Sequence, residues 1–354
     1  MSDDSKAGIA TGRQSGLLRT LAHRLAGDDD VLPVEGHLPP FTGATAWLNS
    51  DPLTPDGLRG RVVLVDFWTY TCINWLRTFP YVRGWAEKYR HHGLTVIGVH
   101  TPEFGFERDL DNVRARSLDF GVEYPIAVDS GYGVWTAFAN HFWPAVYIAD
   151  DQGRIRYHHF GEGEYAMTEM VIQQLLLQAG SDGFDADLLT VEPTGFELPA
   201  DWGTLRTPET YLGLRQTSGY ASPEDPRPDG PHPYPEVNDL SLNAWAPIGP
   251  WILASHAAVS ADTGARVAFR FQARDVNLVI GPANRGAAIP FRVHLDGGAP
   301  GDAHGEDIDA TGSGTLLDQR LYQLIRRPVP PTASSVFEIE FLGPGAEAYC
   351  FTFG

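Results

Sequence analysis

Two thiols stand in this chain of 354 residues, Cys72 and Cys350. Two are too few for a disulfide framework or an all-cysteine metal site, so any chemistry they offer is that of individual thiols. Cys72 lies in the segment VVLVDFWTYTCINWLRTFP, residues 62–80. There a β-branched run leads into Asp66-Phe67-Trp68, a short turn, and the cysteine at the start of a helical pattern. A thiol at that position faces the positive end of the helix dipole and unpaired backbone N–H groups, both of which favour the nucleophilic thiolate. Cys350 alternates with Tyr349 and Phe351 in an apolar run and reads as a small core residue. Bridging the two would need Cα atoms within about 7 Å, and they belong to different domains.

The elements that must position Cys72 follow from periodicity. Val62 to Val65 has the composition of a strand buried on both faces. Ile73 to Arg90 reads as a helix that ends before Gly93, with Pro80 expected to kink it. Thr95 to Val99 is the next strand and Leu110 to Phe120 the next helix. Tyr124 to Val128, Ala145 to Ala149 and Arg154 to His158 are further strands, the last two joined by the turn-forming Asp150-Asp151-Gln152-Gly153. Thr168 to Ala179 closes an α/β domain over residues 34–180. Ahead of it, residues 1–33 read as a tail whose Leu17, Leu18, Leu21 and Leu25 have the spacing of a short helix, followed by an Asp28-Asp29-Asp30 run that reads as a solvated break. Residues 181–239 read as a Pro/Gly-rich linker, with six prolines between Ser222 and Pro235; within it Tyr211-Leu212-Gly213-Leu214 is apolar enough to dock on a domain. Residues 240–354 carry short alternating runs at even spacing, which point to an all-β jelly roll or sandwich.

Composition narrows the function. Forty-five acidic against 26 basic residues give a formal charge of −19, which repels phosphate backbones and argues against nucleic acid as a partner. No apolar run reaches the roughly 20 residues of a membrane helix, and the N-terminal residues lack a signal-peptide pattern, so the expectation is a cytoplasmic protein with no membrane segment. No metal site and no cofactor are expected. His91-His92 and His158-His159 read as turn or strand-edge pairs. The acidic stretch 301–309 has calcium-type ligands without EF-hand spacing and reads as a solvated loop. His100 and Glu103 follow a strand, where they either line a thiol pocket or form a structural pair. Trp245, Trp251, Tyr322 and Tyr349 are aromatic enough to stack on a sugar if exposed, and core if not.

The Asp66-Phe67-Trp68 run, Cys72, Pro80 and the Trp143-Pro144 pair before a strand together resemble the thioredoxin fold, with an extra helix–strand insertion around residues 102–128. WTYTCINWLRTFPY, VIGVHTPEF, RIRYHHFGEGEY, RTPETYLG, RLYQLIRRP and GAEAYCFTFG are similar to the C-terminal portion of DipZ-type cytochrome c biogenesis proteins. The resemblance implies a thioredoxin-like domain followed by a β-sandwich resembling a carbohydrate-binding module. It also implies a cis-proline at Pro144 that holds substrate beside the thiol, and a buried acid at Asp66 that serves the second cysteine. That cysteine is missing: the family's Cys-x-x-Cys reads Cys72-Ile73-Asn74-Trp75. A lone thiol cannot resolve its own mixed disulfide. The expected function is therefore single-thiol redox chemistry, with Cys72 as nucleophile and Asp66 tuning protons. Trp143, Pro144 and Trp75 would lie at the substrate, with Trp75 either packing or covering the thiol. Partners would be a thiol- or disulfide-containing substrate, an external low-molecular-weight thiol or reductase, and a carbohydrate on the sandwich. The alternatives are a ligand- or carbohydrate-binding protein on a disabled scaffold, a single-cysteine peroxidase in which Thr69 matches part of the pattern but Val65 replaces its proline, or another repurposed thiol enzyme.

Overall fold

A computed structural model describes residues 32–354; the tail helix and the Asp28–Asp30 run expected from sequence lie outside them. The chain divides into two compact units after Glu192.

In the first unit, β1 (Gly36–His37), β2 (Ala46–Leu48), β3 (Val62–Trp68), β4 (Leu94–His100), β5 (Ile126–Val128), β6 (Ala145–Ala149) and β7 (Arg154–Phe160) form one sheet in the order β1-β7-β6-β3-β4-β5-β2. The pairs β3–β4 and β4–β5 are parallel, while β6 and β7 run antiparallel. All seven residues of β3 are buried, as its central position and β-branched sequence require. Alternation sends Val63, Val65 and Phe67 into a core with Ile97, Val99 and Tyr147, and Leu64, Asp66 and Trp68 to the opposite face. On that face lies α1 (Ile73–Tyr89), with Pro80 inside it. Helices α2 (Leu110–Asp119), α3 (Gly133–Ala137) and α4 (Tyr165–Gln178) complete the unit. The sequence reading placed the central strands and the long helices within a few residues. It passed over β1, β2 and α3, which are too short to show a period.

The second unit is sheet-rich. Strands β8 (Thr210–Tyr211), β9 (His232–Tyr234), β10 (Trp245–Leu253), β11 (Ala258–Ser260), β12 (Ala265–Phe271), β13 (Asp275–Pro282), β14 (Ile289–Leu295), β15 (Ser313–Leu316), β16 (Arg320–Arg326), β17 (Ser335–Phe341) and β18 (Ala346–Phe353) make a large curled sheet. The curl turns on β10, which pairs with β12 through residues 245–248 and with β9 and β11 through residues 249–253. Gly249 sits at the changeover with φ +79°, and a Cβ there would lie 2.9 Å from the carbonyl oxygen of Gly264. Only glycine fits that close, left-handed bend.

Residues 181–239 differ from the extended linker expected of their composition. The Leu189 N–H donates to Glu169 Oε2 at 2.8 Å within the first unit, while β8 and β9 join the second unit's sheet and Leu212 is buried in its core. Proline excludes a residue from a central ladder, but a three-residue edge strand such as β9 tolerates Pro233. Among the described residues, no helix is long and apolar enough to cross a membrane.

Candidate active site

Cys72 is the N-cap of α1, with extended backbone (φ −76°, ψ 108°). Its carbonyl accepts the Leu76 N–H at 3.0 Å and its own N–H donates to Thr69 O at 3.2 Å. The preceding turn, Thr69-Tyr70-Thr71, is buried, whereas Cys72 is partly exposed. The thiol thus emerges from a closed turn at the positive end of a 17-residue helix.

Asp66 lies on β3, fully buried, and its Oδ2 accepts the indole N–H of Trp75 at 2.9 Å. Burial pushes the Asp66 carboxyl up to about 7, against the lowering effect of the Trp75 bond; the Tyr124 hydroxyl is near enough to lower it slightly, without hydrogen-bond geometry. Trp75 is fully buried as well, stacked on Trp68 with ring centroids 4.3 Å apart and packed on Phe79 at 4.8 Å. Opposite Asp66 on β4 stands Gly98, where a Cβ would come 2.8 Å from Trp68 Nε1 and 3.0 Å from the Tyr124 ring. The aromatic stack therefore depends on that glycine. Of the two readings of Trp75, burial fits packing, and it corrects the placing of this side chain at the substrate or over the thiol: its indole has no surface to offer, and its polar edge is spent on Asp66.

His100, at the end of β4, is also fully buried. It stacks on Tyr70 at 5.6 Å, meets Trp68 edge-on at 4.9 Å, and has Nε2 3.4 Å from Thr69 Oγ1. Burial pushes it down to about 3, so the ring is neutral at physiological pH. Glu103 is half-buried. The acid that this segment buries completely is Glu107, which the sequence reading did not single out. Its Oε1 accepts the Thr71 hydroxyl at 2.6 Å, and its Oε2 accepts the N–H groups of Glu103 at 2.6 Å and Phe104 at 2.8 Å. Burial raises its carboxyl above the usual range, opposed by the hydrogen bonds it receives. The available signal was a glutamate three residues after Phe104, the spacing at which an acid reaches back to the N–H that opens a helical turn.

The Trp143–Pro144 peptide bond is cis. Trp143 donates its indole N–H to Thr101 O at 3.1 Å and packs on Trp135 at 4.3 Å, and Pro144 O accepts the Gly161 N–H at 2.9 Å. Thr101 in turn donates its N–H to Trp68 O at 3.0 Å, and Ala145, next to Pro144, pairs with Phe67. The Trp143-Pro144 loop, the end of β3 and the turn to Cys72 are thereby gathered at one end of the sheet.

The other candidates do not join this constellation. Cys350 is buried in β18 of the second unit, paired with Tyr211 and Val279. Trp245, Trp251, Tyr322 and Tyr349 are buried too, which removes them as sugar platforms, because stacking needs an exposed ring face. His158, exposed on β7, has Nδ1 2.7 Å from the Glu35 carboxylate, and His91-His92 occupy a turn after α1. In the 301–309 stretch, Asp307 is engaged by Arg320 and the Gln323 N–H, and Asp309 by Thr311 and Ser313. Among the described residues, no three His, Cys, Asp or Glu side chains gather as a metal site.

A strand ending at a helix-capping cysteine, a buried acid on that strand and a cis X-Pro bond ahead of its antiparallel neighbour define a thioredoxin-like domain. The chain carries a thioredoxin-like domain and resembles DipZ over most of its own length: it is 37% identical to Protein DipZ of Mycobacterium tuberculosis over 258 residues, 70% of this chain and 35% of that protein. It thus spans about one third of the length of that relative. It is 28% identical over 141 residues to Thiol-disulfide oxidoreductase YkuV of Bacillus subtilis, covering 40% of this chain and 95% of that one. Residues 207–354 match the family model described as Thioredoxin like C-terminal domain. A solved solution structure of a thioredoxin-like protein in the oxidized form is 28% identical, covers 42% of this chain and 99% of its own, and has a TM-score of 0.38.

Proposed function

We propose that this protein is a single-thiol thioredoxin-like redox protein acting through Cys72. The carrying observation is that Cys72 reaches solvent at a helix N-cap, while the position of a resolving thiol is filled by a buried Trp75 bonded to Asp66. In the reaction, the Cys72 thiolate attacks one sulfur of a substrate disulfide. A Cys72–substrate mixed disulfide forms, and the other sulfur leaves as a thiolate that takes a proton from water. A second thiolate, from an external low-molecular-weight thiol or a reductase, then attacks the substrate sulfur of that bond. This frees Cys72 as thiolate and leaves a disulfide between substrate and external thiol, so one disulfide is exchanged for another with electrons conserved. Asp66 serves as the acceptor that seats Trp75, and the Trp143-Pro144 loop borders the substrate. The names of YkuV and of ResA from Halalkalibacterium halodurans, both thiol-disulfide oxidoreductases, support this substrate class. The peroxidase alternative is less well served, because the Thr69 hydroxyl is engaged by His100. The second unit, with its strand shared between two halves of a curled sheet, is read as a β-sandwich of the jelly-roll type.

The test is incubation of the native protein with glutathione disulfide, followed by intact-mass and peptide mapping. One glutathione adduct on Cys72, lost in Cys72→Ser, retained in Cys350→Ser and released by added thiol, is expected. A native protein that forms no adduct at Cys72 overturns the reading.

A further inference from the structure

We infer that Glu107 is a positioning residue for Cys72, acting through Thr71. This rests on the single-thiol reading above. Glu107 lies in the segment after β4 and is fully buried. A buried carboxylate is costly unless its lone pairs are matched, and here three hydrogen-bond donors converge on it, with the Thr69 hydroxyl also near enough to lower its pKa. Two are backbone N–H groups of its own segment, from Glu103 and Phe104, both on Oε2. The third, on Oε1, comes from the hydroxyl of Thr71, 36 residues away in sequence and next to the thiol.

The consequence is mechanical. Cys72 as N-cap must hold its backbone extended while its carbonyl begins the helix ladder. The residue before it is pinned by the Thr71–Glu107 bond, which at 2.6 Å is short and charge-assisted when Glu107 is ionised. The residue three before it is held at the Thr69 hydroxyl by the buried, neutral His100, and the Cys72 N–H bonds back to Thr69 O. One carboxylate therefore ties the turn that presents the thiol to the segment leaving β4. A chain that has lost its resolving cysteine still needs the attacking sulfur in fixed register with the free N–H groups of α1, and this clamp supplies that register. Asp66 cannot do so, because its one hydrogen bond goes to Trp75 inside the core.

The experiment uses the full chain carrying Cys350→Ser, so that Cys72 is the only thiol. The rate constant for Cys72 with iodoacetamide and with glutathione disulfide is measured at one pH, beside the thermal midpoint, for Thr71→Val, Thr71→Ser and Glu107→Gln. Thr71→Val keeps the shape of threonine without the hydroxyl, and should slow both reactions roughly fivefold or more. Thr71→Ser restores the hydroxyl and should return both rates to the starting value, even where its thermal midpoint does not recover. Glu107→Gln should fall between them, because an amide still bonds the turn but loses the charge. Should Glu107→Gln fail to fold, the Thr71 pair decides. Thr71→Val and Thr71→Ser reacting alike would overturn the inference, including when both are merely less stable. Failure of the underlying reading looks different: the parent protein itself would form no glutathione adduct at Cys72, whatever stands at position 71.

Discussion

The first unit places Cys72 at the mouth of a turn, and the second places Cys350 inside a ladder. Cys350 is flanked in β18 by Phe351, which stacks on Phe269 and Phe353, and has Phe351 O at 3.5 Å from its sulfur. The buried acids differ in the same way. Asp275, fully buried at the start of β13, is gripped by Arg274 and Arg326 through four bonds of 2.7–3.0 Å. Asp66, equally buried, receives a single indole N–H and no cation, and burial raises it to near neutrality. The second unit buries its thiol within a strand and uses its central acid to tie β13 to β16. The first keeps one thiol at the surface and one carboxyl poised between states. The lesson is that residue type alone does not assign chemistry; what matters is whether the fold has already consumed the group's bonding capacity.

Four experiments press on that contrast, beginning with the largest change. Trp75→Cys replaces a fully buried indole and restores the Cys-x-x-Cys spacing. The expected loss of stability is about 3–5 kcal/mol, with a disulfide to Cys72 and a gain of insulin-reductase activity in dithiothreitol. A folded, disulfide-forming variant that stays inactive would show that the surroundings no longer support dithiol exchange.

Asp66→Asn comes next. The native carboxyl near 7 against an ordinary value of 3.8 means that the folded state binds more protons between those limits. The Asp66 contribution to stability is therefore greatest below about pH 4, is lost as pH rises toward 7 and stays lost above it. Denaturant titrations should find Asp66→Asn equal to the parent at pH 4 and more stable by about 2–4 kcal/mol at pH 8. A difference that does not change with pH would mean that Asp66 is ionised throughout. His100, held low by burial, acts in the opposite sense: its contribution is present above about 6.5 and fades as pH falls.

The third compares the thiols directly. In the native protein, iodoacetamide should modify Cys72 on the order of 30-fold faster than Cys350, and unfolding should erase the ratio. Comparable native rates would remove the distinction drawn above. Smallest is the cost of losing each sulfur: Cys350→Ala should lower stability by about 1–2 kcal/mol, and Cys72→Ser by less than about 0.5 kcal/mol, in urea titrations.

Much of this was legible in the residues. The run Val62–Val65 read as a strand buried on both faces, which the structure extends to Trp68, and a helical pattern opening at Ile73 put Cys72 at its start. Short alternating runs within residues 240–354 marked a sheet-rich second unit. Other features left no local trace. Edge strands of two or three residues carry no period, so β1, β2, β8 and β9 were invisible, and proline content disguised β9 as linker. Aromatic residues at Trp245, Trp251 and Tyr322 are equally consistent with core and with a binding face until exposure is known.

The sequence by itself determined which thiol stands at a helix start, that its partner at position 75 is tryptophan, and that an acid accompanies it on the preceding strand. These are consequences of order along the chain and of the short-range rules that make helices and strands. Only the tertiary structure decided what those groups do with one another. Trp75 turns inward to bond Asp66 across nine residues, and Glu107 reaches Thr71 across 36. Both depend on where the sheet brings distant segments together, because a hydrogen bond is felt over about 3 Å and no local pattern of residues encodes a separation of that kind.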